Sequence, residues 1–239
     1  MTQTLASGFQ IRKASDRGLA DFGWLKSRHS FSFGSYYNPA FMGFANLRVI
    51  NDDLVEAGKG FGAHPHENAE IFSYVLDGAL EHKDSMGNGS QVEAGGVQYM
   101  SAGSGIRHSE FNPLPDKDIR FLQIWLMPNA MNGAPYYENM DIKPEDKDGQ
   151  LKLFLSRDGR SESMRIRADA DIYAATLNAE QAIEFDMTDG RAGWVQVARG
   201  QLSVNEIELK EGDGLAISDA GKIKFAKGEN AEFILFELG

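Results

Sequence analysis

Short apolar runs of six to eight residues recur along the whole chain: Ala45–Ile50 (ANLRVI), Glu70–Leu76 (EIFSYVL), Phe121–Met127 (FLQIWLM), Gly193–Ala198 (GWVQVA) and Ala231–Leu238 (AEFILFEL). Each is rich in β-branched and aromatic residues and lies between Gly, Asn, Asp or Pro, a pattern that predicts strands. Sustained helical periodicity is scarce. The pattern therefore predicts a mainly β protein, a sandwich or barrel.

The chain has 239 residues, enough for one large β domain or two small ones. The stretch Pro128–Gln150, with three prolines and many polar residues, reads as a connection with little regular structure. A faint repeat flanks it. VLDGALE (Val75–Glu81) followed by VEAGGVQYMSAG (Val92–Gly103) matches VARGQLS (Val197–Ser203) followed by LKEGDGLAISDAG (Leu209–Gly221), at an offset of about 120 residues. Each copy is a strand, a Gly turn, a strand, a second Gly turn and a further strand. The expected organisation is an N-terminal domain over 1–130, a linker over 131–150 and a C-terminal domain over 151–239.

Charge and composition narrow the function classes. A net charge of −11 without a Lys/Arg run argues against a nucleic-acid surface or an anionic-membrane patch. There are no cysteines, so disulfides and thiolate chemistry are excluded and a metal would need His, carboxylate or water. The opening residues lack an apolar leader core, and no apolar run is long enough to span a membrane. A cytoplasmic setting is expected.

All five histidines (29, 64, 66, 82 and 108) lie in the first half. His64-Pro65-His66 is the sharpest local signal, because residues two apart on a strand share a face and so aim two imidazoles into one cavity. Pro65 removes a ladder hydrogen bond, which fits an edge or bulged strand. His108-Ser109-Glu110 repeats the spacing with a carboxylate. Three nitrogens and one carboxylate oxygen suit Fe(II), Mn, Ni, Cu or Zn. His29 reads as a structural residue hydrogen-bonding the N-terminal strand, and His82, beside Glu81, as a solvated turn residue. Trp24, Phe31, Phe33, Phe41 and Phe44 read as core, some of them as a pocket lining. Gln123 and Trp125 share one strand parity, so one of them is expected to face the cavity.

The stretch Gly58-x5-His64-x-His66-x3-Glu70-x7-Gly78 resembles the first cupin motif, with one extra residue before the last glycine. Gly95-x5-Ser101-x-Gly103-x4-His108-x3-Asn112 resembles the second, with Ser in place of Pro and two added residues before the histidine. Within cupins, HPH paired with SAGSGIRHSE is similar to the pirin family. The opening Ser15–Asp53 is also pirin-like. The resemblance covers most of residues 9–130 and, more loosely, the rest. It implies two cupin barrels (double-stranded β-helix, or jelly-roll) in tandem, with one divalent metal held by His64, His66, His108 and Glu110. Iron(II) is the first expectation for that metal, with Mn, Ni, Cu, Zn or Co as alternatives. In many cupins the residue matching Glu70 is a ligand; in pirins the residue matching Glu110 takes that role, leaving Glu70 a supporting or structural part. Glu67 points away from His66. In the second copy the equivalent positions fall near Asp186, Thr188 and Ala226, so that barrel is expected to be degenerate and metal-free.

The resemblance is closest to bacterial pirin-like quercetin 2,3-dioxygenases. It implies a metal-dependent dioxygenase acting on a flat polyphenol and dioxygen, with Glu110 as the base that takes the substrate hydroxyl proton. The contrasting expectation is a metal-dependent regulatory protein that acts through a protein partner. A cupin isomerase or a degenerate sugar-binding cupin is a weaker third.

Overall fold

The computed structural model describes residues 8–218 and 221–239. The N-terminal residues 1–7, read above for a leader, and Asp219-Ala220 of the last repeat turn lie outside the described residues. The chain forms two compact units. One comprises Gly18–Ile142 with Ile166–Ala168; the other comprises the described residues through Arg17, Lys143–Arg165 and Asp169–Gly239. Both are β structures, as the apolar pattern predicts.

The chain begins with β1 (Phe9–Arg12), which pairs antiparallel with Gly214–Ile217 and so belongs to the second unit. The first unit is built from β2 (Gly18–Asp21), β3 (Leu25–His29), β4 (Leu47–Val55), β5 (Gly60–His66), β6 (Glu70–Asp77), β7 (Ala79–Asp84), β8 (Gly89–Glu93), β9 (Gly96–Ser101), β10 (Ile106–Phe111), β11 (Ile119–Leu126) and β12 (Tyr136–Asp141). Seven of these strands form a sheet ordered β12-β9-β6-β11-β4-β3-β2, and four form a sheet ordered β5-β10-β7-β8. Leu25, Val55, Val75, Ile119 and Phe121 from the larger sheet pack with Leu80 and Val92 from the smaller. The runs in β6 and β11 are nearly continuous rather than alternating because both faces of those strands are buried.

Two glycines fit this construction closely. Gly78 turns β6 into β7 at φ 78°, and a Cβ there would sit 2.5 Å from Ile119 Cγ2. At Gly60 a Cβ would meet the Glu110 carbonyl oxygen at 2.2 Å, so glycine is what lets β5 approach β10 beside the site.

Part of the stretch expected to be irregular is a strand: β12 pairs antiparallel with β9 from Tyr136↔Ser101 to Asp141↔Gly96. It lies at the sheet edge with no residue fully buried, so it carries no apolar run to betray it.

The second unit is a nine-stranded sheet dominated by two long strands, Ala192–Val204 and Lys222–Leu238. Register shifts between Val197 and Ser203 bend this pair. Its interior is filled by apolar side chains, among them Ile11, Val195, Leu215, Phe225 and Phe233. Asp186 and Thr188 are exposed, and Ala226 has no ligand group.

Candidate metal centre

Strand pairing brings the histidines together. On β5, His64 and His66 share one half-buried face while Pro65 is exposed on the other. β5 is an edge strand of its sheet, which is where proline is tolerated. β10 runs antiparallel to it with His108 opposite His64 and Ile106 opposite His66, and the register shifts between His108 and Glu110. The three ring centroids are 4.8 Å (His64–His66), 4.4 Å (His64–His108) and 4.9 Å (His66–His108) apart. One nitrogen from each ring lies within 4.8 Å of the others.

Protonation suits ligation. His64 Nδ1 is 2.8 Å from the Gly62 carbonyl, an acceptor only, so the proton sits on Nδ1 and the Nε2 lone pair is free. Burial, then the neighbouring His64, pushes His66 down to about 4. Burial and the other imidazoles likewise push His108 down. Neutral imidazoles are what a metal requires. His108 is 2% exposed, and its Nε2 is buried without a hydrogen-bond partner. A bare buried nitrogen is costly, and a cation between the three rings would satisfy it, so the residues present fit a metal.

Glu110 is buried on the same face of β10 as His108. Its Oε1 accepts from the Gln98 amide and faces Ser73 Oγ at 3.2 Å, and its Oε2 accepts from Gln123 Nε2 at 2.8 Å. Burial raises its carboxyl to about 7, against these three donors; a cation at the imidazoles would lower it again. The structure groups Glu110 with His108 and His82.

His82 corrects the sequence reading. It is 1% exposed rather than solvated. On β7, Glu81 and Lys83 point outward while Leu80 and His82 point inward, so the charged neighbours hid a buried alternation. Its Nδ1 lies 3.4 Å from His108 Nδ1 and its Nε2 lies 3.3 Å from Asp84 Oδ2. Burial pushes its imidazole down, against the pull of Asp84. Tyr137 stacks on it at 4.2 Å and 13°. Asp84, Tyr137, Ser73 and Gln98 were likewise missed.

Other residues fall as follows. His29 is structural as expected, with Nδ1 2.7 Å from Asn51 Oδ1 and 3.3 Å from Ser27 Oγ. Gln123 and Trp125 both face inward, one on Glu110 and the other edge-on to His66 at 4.8 Å. Trp24 packs on Phe61, whereas Phe33 packs edge-to-face on Trp125. Glu67 is exposed. Glu70 is 1% exposed, but its parity on β6 is opposite to that of Ser73, so it faces away from Glu110. It accepts from Tyr99 Oη, from Ser101 Oγ at 2.8 Å and from the Arg167 amide at 3.3 Å.

One opening is lined in part by His66, and a second by Trp125, whose ring packs on His66. The first, a cleft of about 490 Å³, is lined by Pro65, His66, Glu67, Ser85, Ile106 and Arg107. The second, of about 290 Å³, is lined by Phe33, Tyr36, Tyr37, Met42, Arg48 and Trp125.

Known proteins resemble this chain over nearly its whole length. The family model described as Pirin matches residues 9–126, and that described as Quercetinase C-terminal cupin domain matches residues 153–238. The chain is 46% identical to the quercetin 2,3-dioxygenase of Escherichia coli (strain K12), covering 95% of this chain and 97% of that one. It is 40% identical to a pirin-like protein of Caulobacter vibrioides, covering 95% and 98%. The chain belongs to the pirin family. Its two β units are cupin domains. Among solved structures, the bacterial pirin YhhW from Escherichia coli in complex with nickel(II) superposes with a TM-score of 0.92 at 43% identity, covering 96% of this chain and 98% of that one. Among the described residues, the groups able to hold a metal all lie in this pirin's first unit. No described helix is long and apolar enough to cross a membrane.

Proposed function

We propose that this pirin is a metal-dependent dioxygenase that cleaves a flavonol such as quercetin with dioxygen. One divalent ion, iron(II) first among the candidates, is held by His64, His66, His108 and Glu110. The observation that carries the proposal is the convergence of three imidazoles, one with an orphaned nitrogen, beside a cleft that reaches solvent. A relative named quercetin 2,3-dioxygenase at 46% identity over nearly the whole chain supports it.

The ion would supply Lewis acidity toward a substrate hydroxyl and a route for dioxygen chemistry. The chain's own residues do the rest. Gly62 holds the His64 ring through its carbonyl. Ser73, Gln98 and Gln123 hold the Glu110 carboxylate. Glu110 Oε2 has one fewer hydrogen-bonding neighbour than Oε1, so it is the atom that takes the hydroxyl proton. Phe33, Tyr36 and Trp125 offer flat apolar faces that orient aromatic rings and exclude water beside His66. The cytoplasmic setting expected from the sequence is part of the same proposal.

The test is anaerobic purification, elemental analysis, parallel loading with Fe(II), Mn(II), Ni(II) or Cu(II), and measurement of quercetin loss with carbon monoxide release. We expect metal-dependent turnover, with metal content near zero and no turnover in His64→Ala or His108→Ala, both still folded. Metal content near one per chain in either variant defeats the ligand assignment. Stoichiometric metal without turnover under any loading defeats the dioxygenase reading and favours action through a protein partner.

A further inference from the structure

A line of polar side chains runs from the imidazole cluster across the four-stranded sheet. The ladder between β7 and β10 sets Asp84 opposite His108 and His82 opposite Glu110. His108 Nδ1 and His82 Nδ1 are within hydrogen-bonding distance at 3.4 Å, as are His82 Nε2 and Asp84 Oδ2 at 3.3 Å. The His82 and Asp84 side chains are 1% and 0% exposed.

The protons on this line follow from elementary rules. An ionised carboxylate only accepts, so the proton facing Asp84 is on His82 Nε2. An imidazole carrying its single proton on Nε2 has Nδ1 bare and able only to accept. Two nitrogens share a hydrogen bond only when one is protonated and the other is not. The proton between the rings is therefore on His108 Nδ1. His108 Nε2 is then the lone-pair nitrogen, and it is the buried atom without a partner.

We propose that Asp84 and His82 are positioning residues: a carboxylate–imidazole relay that fixes the tautomer and orientation of His108 and presents its Nε2 lone pair to the metal. The relay is itself held. Asp84 Oδ1 accepts from the Met86 and Asn88 amides at 2.8 and 3.0 Å, and Oδ2 accepts from Asn88 Nδ2 at 2.8 Å. Tyr137 lies flat on His82, with its hydroxyl hydrogen-bonded to Ser90. A ligating histidine commonly donates its other N–H to an outer partner. Here that partner is a second imidazole, and the carboxylate sits one ring further out.

The inference rests on His108 being a ligand, so two measurements separate the claims. The first is a long-range ¹H–¹⁵N spectrum of the full chain labelled at histidine, metal-free and zinc-loaded. We expect His82 protonated at Nε2 and His108 at Nδ1 in both. The second is zinc affinity by chelator competition. We expect His82→Phe, which keeps an aromatic ring against Tyr137, and Asp84→Asn, which turns an N–H toward His82, each to weaken zinc about 10–100-fold. A His108 protonated at Nε2 overturns the relay, as do affinities within twofold of wild type in both variants. Two zinc ions per chain overturn it too, because an ion shared by His82, His108 and Glu110 needs His108 Nδ1 bare. Should a variant not fold, the wild-type spectrum decides. Should wild type take up no zinc, the ligand reading fails and the metal-free spectrum still decides the relay.

Discussion

Glu70 is the carboxylate that the general cupin pattern would place on the metal, and the structure turns it the other way. Glu70→Ala therefore separates two readings. The carboxylate accepts from Tyr99 Oη, Ser101 Oγ and the Arg167 amide. The Arg167 amide keeps the Tyr99 oxygen at 3.3 Å as a partner, so removal leaves two buried hydroxyls unsatisfied. At about 1–3 kcal/mol for each orphaned group, the expected loss is about 3 kcal/mol. For a chain of this size that is a fall in Tm of roughly 6–12 °C. Glu70→Gln keeps one acceptor oxygen and should lose about half as much. The assay is thermal unfolding followed by circular dichroism, with metal content measured on the same samples below the transition. We expect both variants to bind metal as wild type does. A variant that loses its metal while keeping its Tm would refute the reasoning and make Glu70 a ligand.

The remaining predictions concern the two raised carboxyls. Glu110→Gln keeps the shape but cannot take a proton as a carboxylate does. It should retain metal better than His64→Ala while quercetin turnover falls by about 100-fold or more, and persistent turnover removes the base role. Asp53 is buried on β4, and its carboxyl is raised from 3.8 to about 7, by burial first, opposed by the Ser27 hydroxyl, with the Asp52 and Glu110 charges adding. The folded state thus holds this proton more tightly than the unfolded chain. The associated stability is present below about pH 4 and lost as pH climbs to about 7. Asp53→Asn is neutral throughout, so metal-free variant minus wild type should shift in the variant's favour between pH 4 and 8 by up to about 4 kcal/mol. Urea midpoints that differ by the same amount at both pH values contradict this.

The site was legible where its chemistry followed strand periodicity. His64, Pro65 and His66, with His108 and Glu110, obey the two-residue rule without interruption, so their shared faces could be read directly. His82 obeys the same rule with Leu80, yet the charges of Glu81 and Lys83 made the segment look like a turn. Ser73 and Gln98 sit inside strands whose neighbours are buried on both sides, so nothing local marks them as inward-facing. Tyr137 was hidden because β12 owes its strand form to β9 rather than to any apolar run of its own. Proximity in sequence places the start of the chain in the first domain. Phe9–Arg12 instead finds its hydrogen bonds some two hundred residues away, a pairing that no local pattern reports.

That last pairing bears on how the molecule is made. β1 leaves the ribosome some two hundred residues ahead of Gly214–Ile217, the strand it joins. Until the C-terminal strands are synthesised, Phe9–Arg12 has no sheet to enter and its backbone groups stay with water. Once they are, Ile217 and Leu215 have an open edge until β1 arrives, a surface on which another chain can pair. A C-terminal fragment cut near Lys143 would keep that edge open permanently. Anyone dividing this protein into halves should carry the first strand across to the second.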